Sequence, residues 1–443
     1  MPSSTGLAPC THRPPVRRPR LGGALLAGVL IGMAPGCGEL GTESGGEPVV
    51  ADSAGITVVT HPAAAADQEA PFTLSPDPDL RIGTLDGPEE ERFSRIIAAV
   101  PLSDGAIAVL EGADREIRVF DAEGRFVRRI GRAGDGPGEL RIPQALQRLP
   151  GDTLLAWDSG TGRLSWFDPE GNLIRDDRLA TEGLGRISTA YAMDDGTVTL
   201  VVVDRARGPS GLPEDGMRRN QSVLVQWEKP DADLREWAEV LGAEMLISVE
   251  SPSDGRMLIS MGQPWYTAAL LTAGAGDRVW RTDGTRWEVE AWDPSQGALE
   301  TVVRLDRPLD PFDAAFIREL EAGELEAADD DRRDAVRRRH RSTEYPDSIP
   351  PLRGLVAGAD GRLWLGLTRV PPVRLPGGAG AELREWLVLE ADGSVVGRVS
   401  LPPRTQLVHA DADYLLLVRF DELDLPYLER FPLQARPDGE VEE

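Results

Sequence analysis

The chain has 443 residues, 41% of them hydrophobic, and a formal charge of −26 at pH 7. Residues 1–36 contribute +4 and no acid, so the remainder stands at −30, a surface that repels phosphate backbones and argues against nucleic-acid binding. Two cysteines and four histidines are too few for a disulfide scaffold, and they argue against a zinc enzyme.

Arg13, Arg17, Arg18 and Arg20 precede an apolar run from Leu21 to Met33, and small residues then lead to Gly36 and Cys37. That order marks an export signal, and the run is shorter than the roughly 20 apolar residues that span a bilayer. The segment resembles a bacterial lipobox, which implies cleavage before Cys37 and lipid attachment to it. Cys10 leaves with the signal, so Cys37 is the lone thiol of the mature chain. The expected layout is a lipoprotein-type signal peptide over 1–36, a flexible tether over 37–55, a folded body over 56–434 and an acidic tail over 435–443.

In the body, Ile56–Val59 reads as a first strand. Leu80–Gly83 before Asp86-Gly87-Pro88 repeats the layout of Arg129–Gly131 before Asp135-Gly136-Pro137. Two stretches then superimpose. Asp104-Gly105, a strand to Leu110, Glu116–Phe120, Asp121–Gly124 and a strand to Ile130 are matched by Gly151-Asp152, a strand to Trp157, Arg163–Phe167, Asp168–Gly171 and a strand to Ile174. Phe120 and Phe167 are separated by 47 residues, as are Gly124 and Gly171. A period of about 40–50 residues with several short strands per unit is the pattern of a β-propeller. The segments are rich in Val, Leu, Ile, Trp and Phe, and Asp-Gly or Glu-Gly pairs supply the positive φ of tight hairpins. One four-stranded unit cannot bury both faces, whereas radial stacking hides them.

Phe120-Asp121-x-x-Gly124 followed by Gly131-x-x-Gly134-Asp135-Gly136-Pro137-Gly138-Glu139-Leu140-x-x-Pro143 resembles an NHL repeat, and Trp157-Asp158-Ser159-Gly160 with Arg163 continues it. The layout is similar to six-bladed, TolB-like propeller lipoproteins. This resemblance implies a fold and, by itself, no activity.

Further along, residues 204–221 read as an exposed loop. The inner turn recurs at Asp195-Gly196, Gly276-Asp277, Asp360-Gly361 and Asp411-Ala412-Asp413, which with the first two makes six turns and six blades. Residues 311–341 interrupt blades 4 and 5 with a helical pattern carrying Phe316, Ile317 and Leu320, then Asp329–Asp331 and Arg337–Arg339. This insertion either packs on the propeller or forms a lid over its channel. The last unit, Gln406 to Phe431, lacks an outer strand, so the strand at Leu80–Gly83 is expected to complete it and latch the ring, with Ile56–Val59 pairing nearby. The fold class is thus all-β: a six-bladed β-propeller with an N-terminal strand closing the last blade and a short helical insertion.

Catalytic six-bladed relatives such as lactonases and amidating lyases hold a metal on inner-strand His, Asp, Glu or Asn. Of the mature histidines, His61 lies in the lead-in, His340 in the insertion, and His409 alone falls near the end of an inner strand. No nucleophile elbow or P-loop is present. No catalytic residue or cofactor is assigned. Calcium stays open, because oxygen ligands need no histidine, with Asp329–Asp331 and Asp411 with Asp413 as the acidic clusters. Asp104, Asp121, Asp158 and Asp168 read as turn and blade residues. The leading functional expectation is a non-catalytic binding or scaffold lipoprotein of the cell envelope, monomeric, meeting the membrane through its anchor and binding a protein, peptide or glycan. The alternative is a metal-dependent hydrolase or lyase centred on the channel.

Overall fold

The computed structural model describes residues 46–179, 186–203, 216–228, 234–250, 258–262, 266–267, 269–328, 330–343, 345–368, 375–376 and 382–436. The signal segment, Cys37, the 204–215 part of the expected loop, Asp329 and the last residues of the tail lie outside them.

Six antiparallel sheets follow one another along the chain. Their inner strands are Ile96–Pro101, Pro143–Leu149, Arg186–Ala192, Leu271–Ala275, Leu352–Ala357 and Thr405–Ala410, and each leads through one of the six turns seen in the sequence to its second strand. The protein is a six-bladed β-propeller. Aspartates close the turns: Asp104 accepts the Ala106 amide at 3.0 Å and Asp195 the Thr197 amide at 2.9 Å, while the later turns use Asp121, Asp168, Asp293 and Asp392 in the same way.

The core lies between blades. Leu110, Ile117, Val119 and Ile130 of blade 1 pack on Leu140, Leu146, Leu154 and Phe167 of blade 2. The same interdigitation recurs between blades 2 and 3, 4 and 5, 5 and 6, and 6 and 1. The glycines of the turn before the outer strand explain the 47-residue period physically. Gly171 has φ +92°, and a Cβ there would meet Ile130 Cγ1 at 2.8 Å; Gly393 has φ +87°, and a Cβ would meet Val303 Cγ2 at 2.5 Å. Each turn therefore needs glycine twice, for its backbone conformation and for its seat on the preceding blade.

The N-terminal segment is a strap. β1 (Val49–Ser53) and β2 (Ile56–Pro62) form a hairpin through Ala54 and Gly55, both at positive φ. A strand therefore occupies part of the segment expected as tether. β2 pairs in parallel with Ala298–Asp306, the outer strand of blade 4. This corrects the expectation for Ile56–Val59, which joins blade 4 rather than the neighbourhood of the closing strand: alternating burial along β2 fits that outer strand, with Val59 packed into the core between blades 4 and 5. The chain next runs along blade 5, where Ala70 N donates to Arg398 O at 3.0 Å and Arg398 N to Gln68 O at 2.7 Å. It ends on blade 6, where β3 (Phe72–Leu74) and β4 (Leu80–Ile82) pair with Pro426–Ala435. β4 supplies the outer strand that the last unit lacks, and Leu80 and Ile82 join the core between blades 6 and 1.

Two helices, α1 (Ala314–Ala327) and α2 (Asp330–Ser342), stand between blades 4 and 5. Asp313 caps α1 by accepting the Ala315 and Phe316 amides, both at 2.8 Å. Phe316, Ile317 and Leu320 pack around Tyr266, Phe312, Tyr345 and Ile349, so the apolar stripe of α1 meets the connection between blades 3 and 4 through Tyr266. Residues 216–221 of the expected loop belong to the strand Gly216–Trp227.

Candidate ligand-binding site at the channel mouth

The inner turns lie at one end of the strands, and a cavity of about 750 Å³ opens there. Its polar lining comes from four blades: Gln147 and Arg148 from blade 2, Asp277 and Arg278 from blade 4, Asp360 from blade 5, and His409 and Asp411 from blade 6. Most of these groups are fixed to the scaffold. Gln147 Oε1 accepts the Ala192 amide at 2.7 Å. Arg148 Nε meets Asp152 Oδ1 at 2.7 Å, and Asp152 also takes the Ser103 amide at 3.1 Å. Arg278 Nε donates to Glu300 at 3.1 Å, and Arg362 N donates to Asp360 Oδ1 at 3.1 Å.

His409 and Asp411 sit at the edge of the sixth turn. Nε2 of His409 lies 3.8 Å from Asp411 Oδ2, is buried, and has no hydrogen-bond partner among the described residues. The imidazole, then the Ala412 amide and the Arg148 charge, hold the Asp411 carboxyl below the usual aspartate value against an opposing effect of burial. Burial, reinforced by the Asp411 charge, pushes the Tyr414 phenol up. The result is a concave mouth with cationic, anionic and amide groups held in place, suited to polar recognition.

The other sequence candidates lie elsewhere. His61 is 3% exposed, and its Nε2 is 2.8 Å from Gly393 O, pinning the strap to a turn of blade 5. His340 is 8% exposed between Glu324 Oε2 at 2.6 Å and Tyr345 Oη at 2.5 Å, joining α2 to α1 and to the returning chain. Asp158 is buried and accepts the amides of Arg141, Ile142 and Thr161 at 2.7, 2.8 and 2.7 Å. Glu111, one 47-residue period earlier, accepts those of Ser94, Arg95 and Asp114. Asp413 is exposed and shares no metal cluster with Asp411. Among the described residues no group of three or more His, Cys, Asp or Glu is placed to hold a metal ion. Gln147, Arg148 and Arg278 escaped the sequence reading because they belong to no motif, and Asp277 was legible there as a turn residue alone. The signal that marks them is polar residues crowding the ends of otherwise apolar inner strands.

A family model described as a six-bladed β-propeller, DUF5128, matches residues 85–144, the first blade with its flanking loops. No curated protein sequence matches the chain. Among solved structures, the chain is similar to a DUF4221 family member from Bacteroides vulgatus at 12% identity and TM-score 0.46, over 83% of this chain and 100% of that one. It is also similar to a protein of Bacteroides fragilis described as exported, at 10% identity and TM-score 0.41, over 82% and 95%. A gluconolactonase from Xanthomonas campestris matches at 12% identity and TM-score 0.38, over 83% and 98%.

Proposed function

We propose that the protein is a non-catalytic binding lipoprotein of the bacterial cell envelope, NHL-type in its repeats, exported by residues 1–36 and anchored through Cys37. Its channel mouth takes the polar end of a peptide, glycan or protein segment. The observation that carries this reading is the cavity of about 750 Å³ with polar groups from four blades, within the roughly 300–1,000 Å³ range of ligand sites. The arginines at the mouth suit carboxylate or sulfate groups, and the aspartates suit amines and hydroxyls.

The test is a peptide and glycan screen by calorimetry on the purified protein, repeated with Arg148→Ala and His409→Ala. Saturable binding weakened about tenfold or more by each variant, with unchanged unfolding midpoints, supports the reading. Binding that ignores both variants overturns it. The unpartnered Nε2 of His409 is the one observation favouring the alternative of a metal-dependent hydrolase or lyase. Metal analysis with a thermal-shift series in calcium and zinc addresses it. Stoichiometric metal lost in His409→Ala, together with turnover of lactones, establishes that alternative instead.

A further inference from the structure

The charges at the channel mouth are not equally free. Arg148 holds Asp152 through Nε at 2.7 Å, and Arg278 holds Glu300 at 3.1 Å, so each arginine already has a carboxylate of its own. Asp360 has a cation as well, with Arg362 Nη1 3.4 Å from its Oδ2. Two acids of the cavity are left. Asp277 is exposed, and its carboxylate makes no hydrogen bond or ion pair among the described residues. Asp411 takes the Ala412 amide on Oδ1 at 2.7 Å, and its Oδ2 lies 3.8 Å from His409 Nε2, too far for a hydrogen bond. Arg148 acts on Asp411 only from beyond ion-pair distance.

The mouth is also sided. Asp277, Asp360 and Asp411 stand on the turns of blades 4, 5 and 6, which follow one another round the ring, whereas Val100, Pro101, Leu146 and Leu149 line the cavity from blades 1 and 2. A ligand that fits both halves has a cationic head and an aliphatic stem, as a lysine side chain does. The buried Nε2 of His409, unpartnered among the described residues, adds a second acceptor beside Asp411 when the imidazole proton is on Nδ1. One nitrogen can then donate to both atoms, at about 2.9 Å from each.

We propose that the channel mouth selects a primary alkylammonium group, held by His409 and Asp411 with Asp277 supplying long-range attraction. This rests on the channel-mouth reading above and names the charge of its ligand. Primary ammonium brings three donors and no acceptor, which matches a mouth whose unsatisfied groups accept. The Nη hydrogens of Arg148 remain for uncharged oxygens of the same ligand, such as peptide carbonyls. The net charge of −26 draws cations toward the molecule.

The test is calorimetry on the purified protein, in chelator and at low salt, with three probes: 1,5-diaminopentane, the capped tripeptide acetyl-Ala-Lys-Ala-amide, and the same tripeptide acetylated on the lysine nitrogen. We expect saturable binding of an unacetylated probe, weakened about tenfold or more by acetylation or by Asp411→Asn and severalfold by Asp277→Asn. Glu170→Gln, which removes an exposed acid on the outer turn of blade 2, should leave it unchanged. Binding of the diamine alone identifies a free amine as the ligand, and binding of the tripeptide alone identifies a lysine in a chain. Equal affinity for the acetylated tripeptide overturns the ammonium assignment, as does equal weakening by Glu170→Gln and Asp411→Asn, which would place the attraction in the general acidic surface. If no amine binds while a neutral or anionic ligand still responds to Arg148→Ala and His409→Ala, the ammonium assignment fails and the channel-mouth reading stands. If no ligand of any class responds to those two variants, both fail.

Discussion

Arg430 grips Asp79 with both prongs of its guanidinium, Nε to Oδ1 at 2.8 Å and Nη2 to Oδ2 at 3.2 Å, across 351 residues of chain. The Asp79 amide also donates to Arg430 O at 3.0 Å. Next to this pair β4 completes blade 6, so the last sheet of the ring is finished by the first part of the body. Both charged side chains are partly exposed, at 25% and 44%, and such a pair contributes at most about 1 kcal/mol. The apolar side chains of the same strand carry the closure. Ile82→Ala is expected to cost about 2–4 kcal/mol and Asp79→Ala about 1 kcal/mol or less, in denaturant unfolding. Equal losses would place the latch in the ion pair.

Two turn glycines, Gly151 after an inner strand and Gly393 before an outer one, separate two causes of strain. Gly151 has φ +73° and open space around its missing Cβ, so Gly151→Ala loses about 1 kcal/mol of backbone preference. Gly393→Ala adds the collision with Val303 and is expected to lose about 2–4 kcal/mol. Thermal unfolding of the two variants checks the ordering.

Asp158 holds three amides of two loops in a buried position. Asp158→Ala leaves these donors without an acceptor, and we expect a loss on the order of 3 kcal/mol with intact secondary structure. Asp158→Asn keeps one acceptor oxygen and loses less. Chemical denaturation followed by tryptophan fluorescence distinguishes them, and a neutral Asp158→Ala would refute the assigned role.

The turn aspartates set the acid limit of stability. Backbone amides and Arg125 lower Asp121, the Asn172 side chain and amides lower Asp168, and the imidazole of His409 lowers Asp411 from the ordinary 3.8. With folded values below unfolded ones, the unfolded chain binds more protons between them, so stability is fully present above about 3.8 and lost as pH falls through the folded values. The melting temperature should show no acid loss from these groups between neutrality and pH 5, and fall steeply below pH 4. A decline already complete at pH 5 would assign the acid sensitivity to other groups.

The sequence by itself determined the blade. Turn chemistry at Asp104-Gly105 or Asp168–Gly171 is local, and the 47-residue spacing of Gly124 and Gly171 reports that each unit meets its neighbour in the same way. The closing strand was legible for the same reason, since Leu80–Gly83 resembles an outer strand whose own sheet is absent nearby. Only the tertiary structure decided where the strap runs and which polar groups meet at the mouth. β2 could add to any exposed outer strand, and side-chain fit at Val59 chose blade 4. Arg148, Arg278 and His409 lie on three different blades, 130 residues or so apart in sequence. Ring closure alone brings them to one cavity, because convergence at a channel depends on how far each blade rotates from the last, and no local pattern encodes that angle.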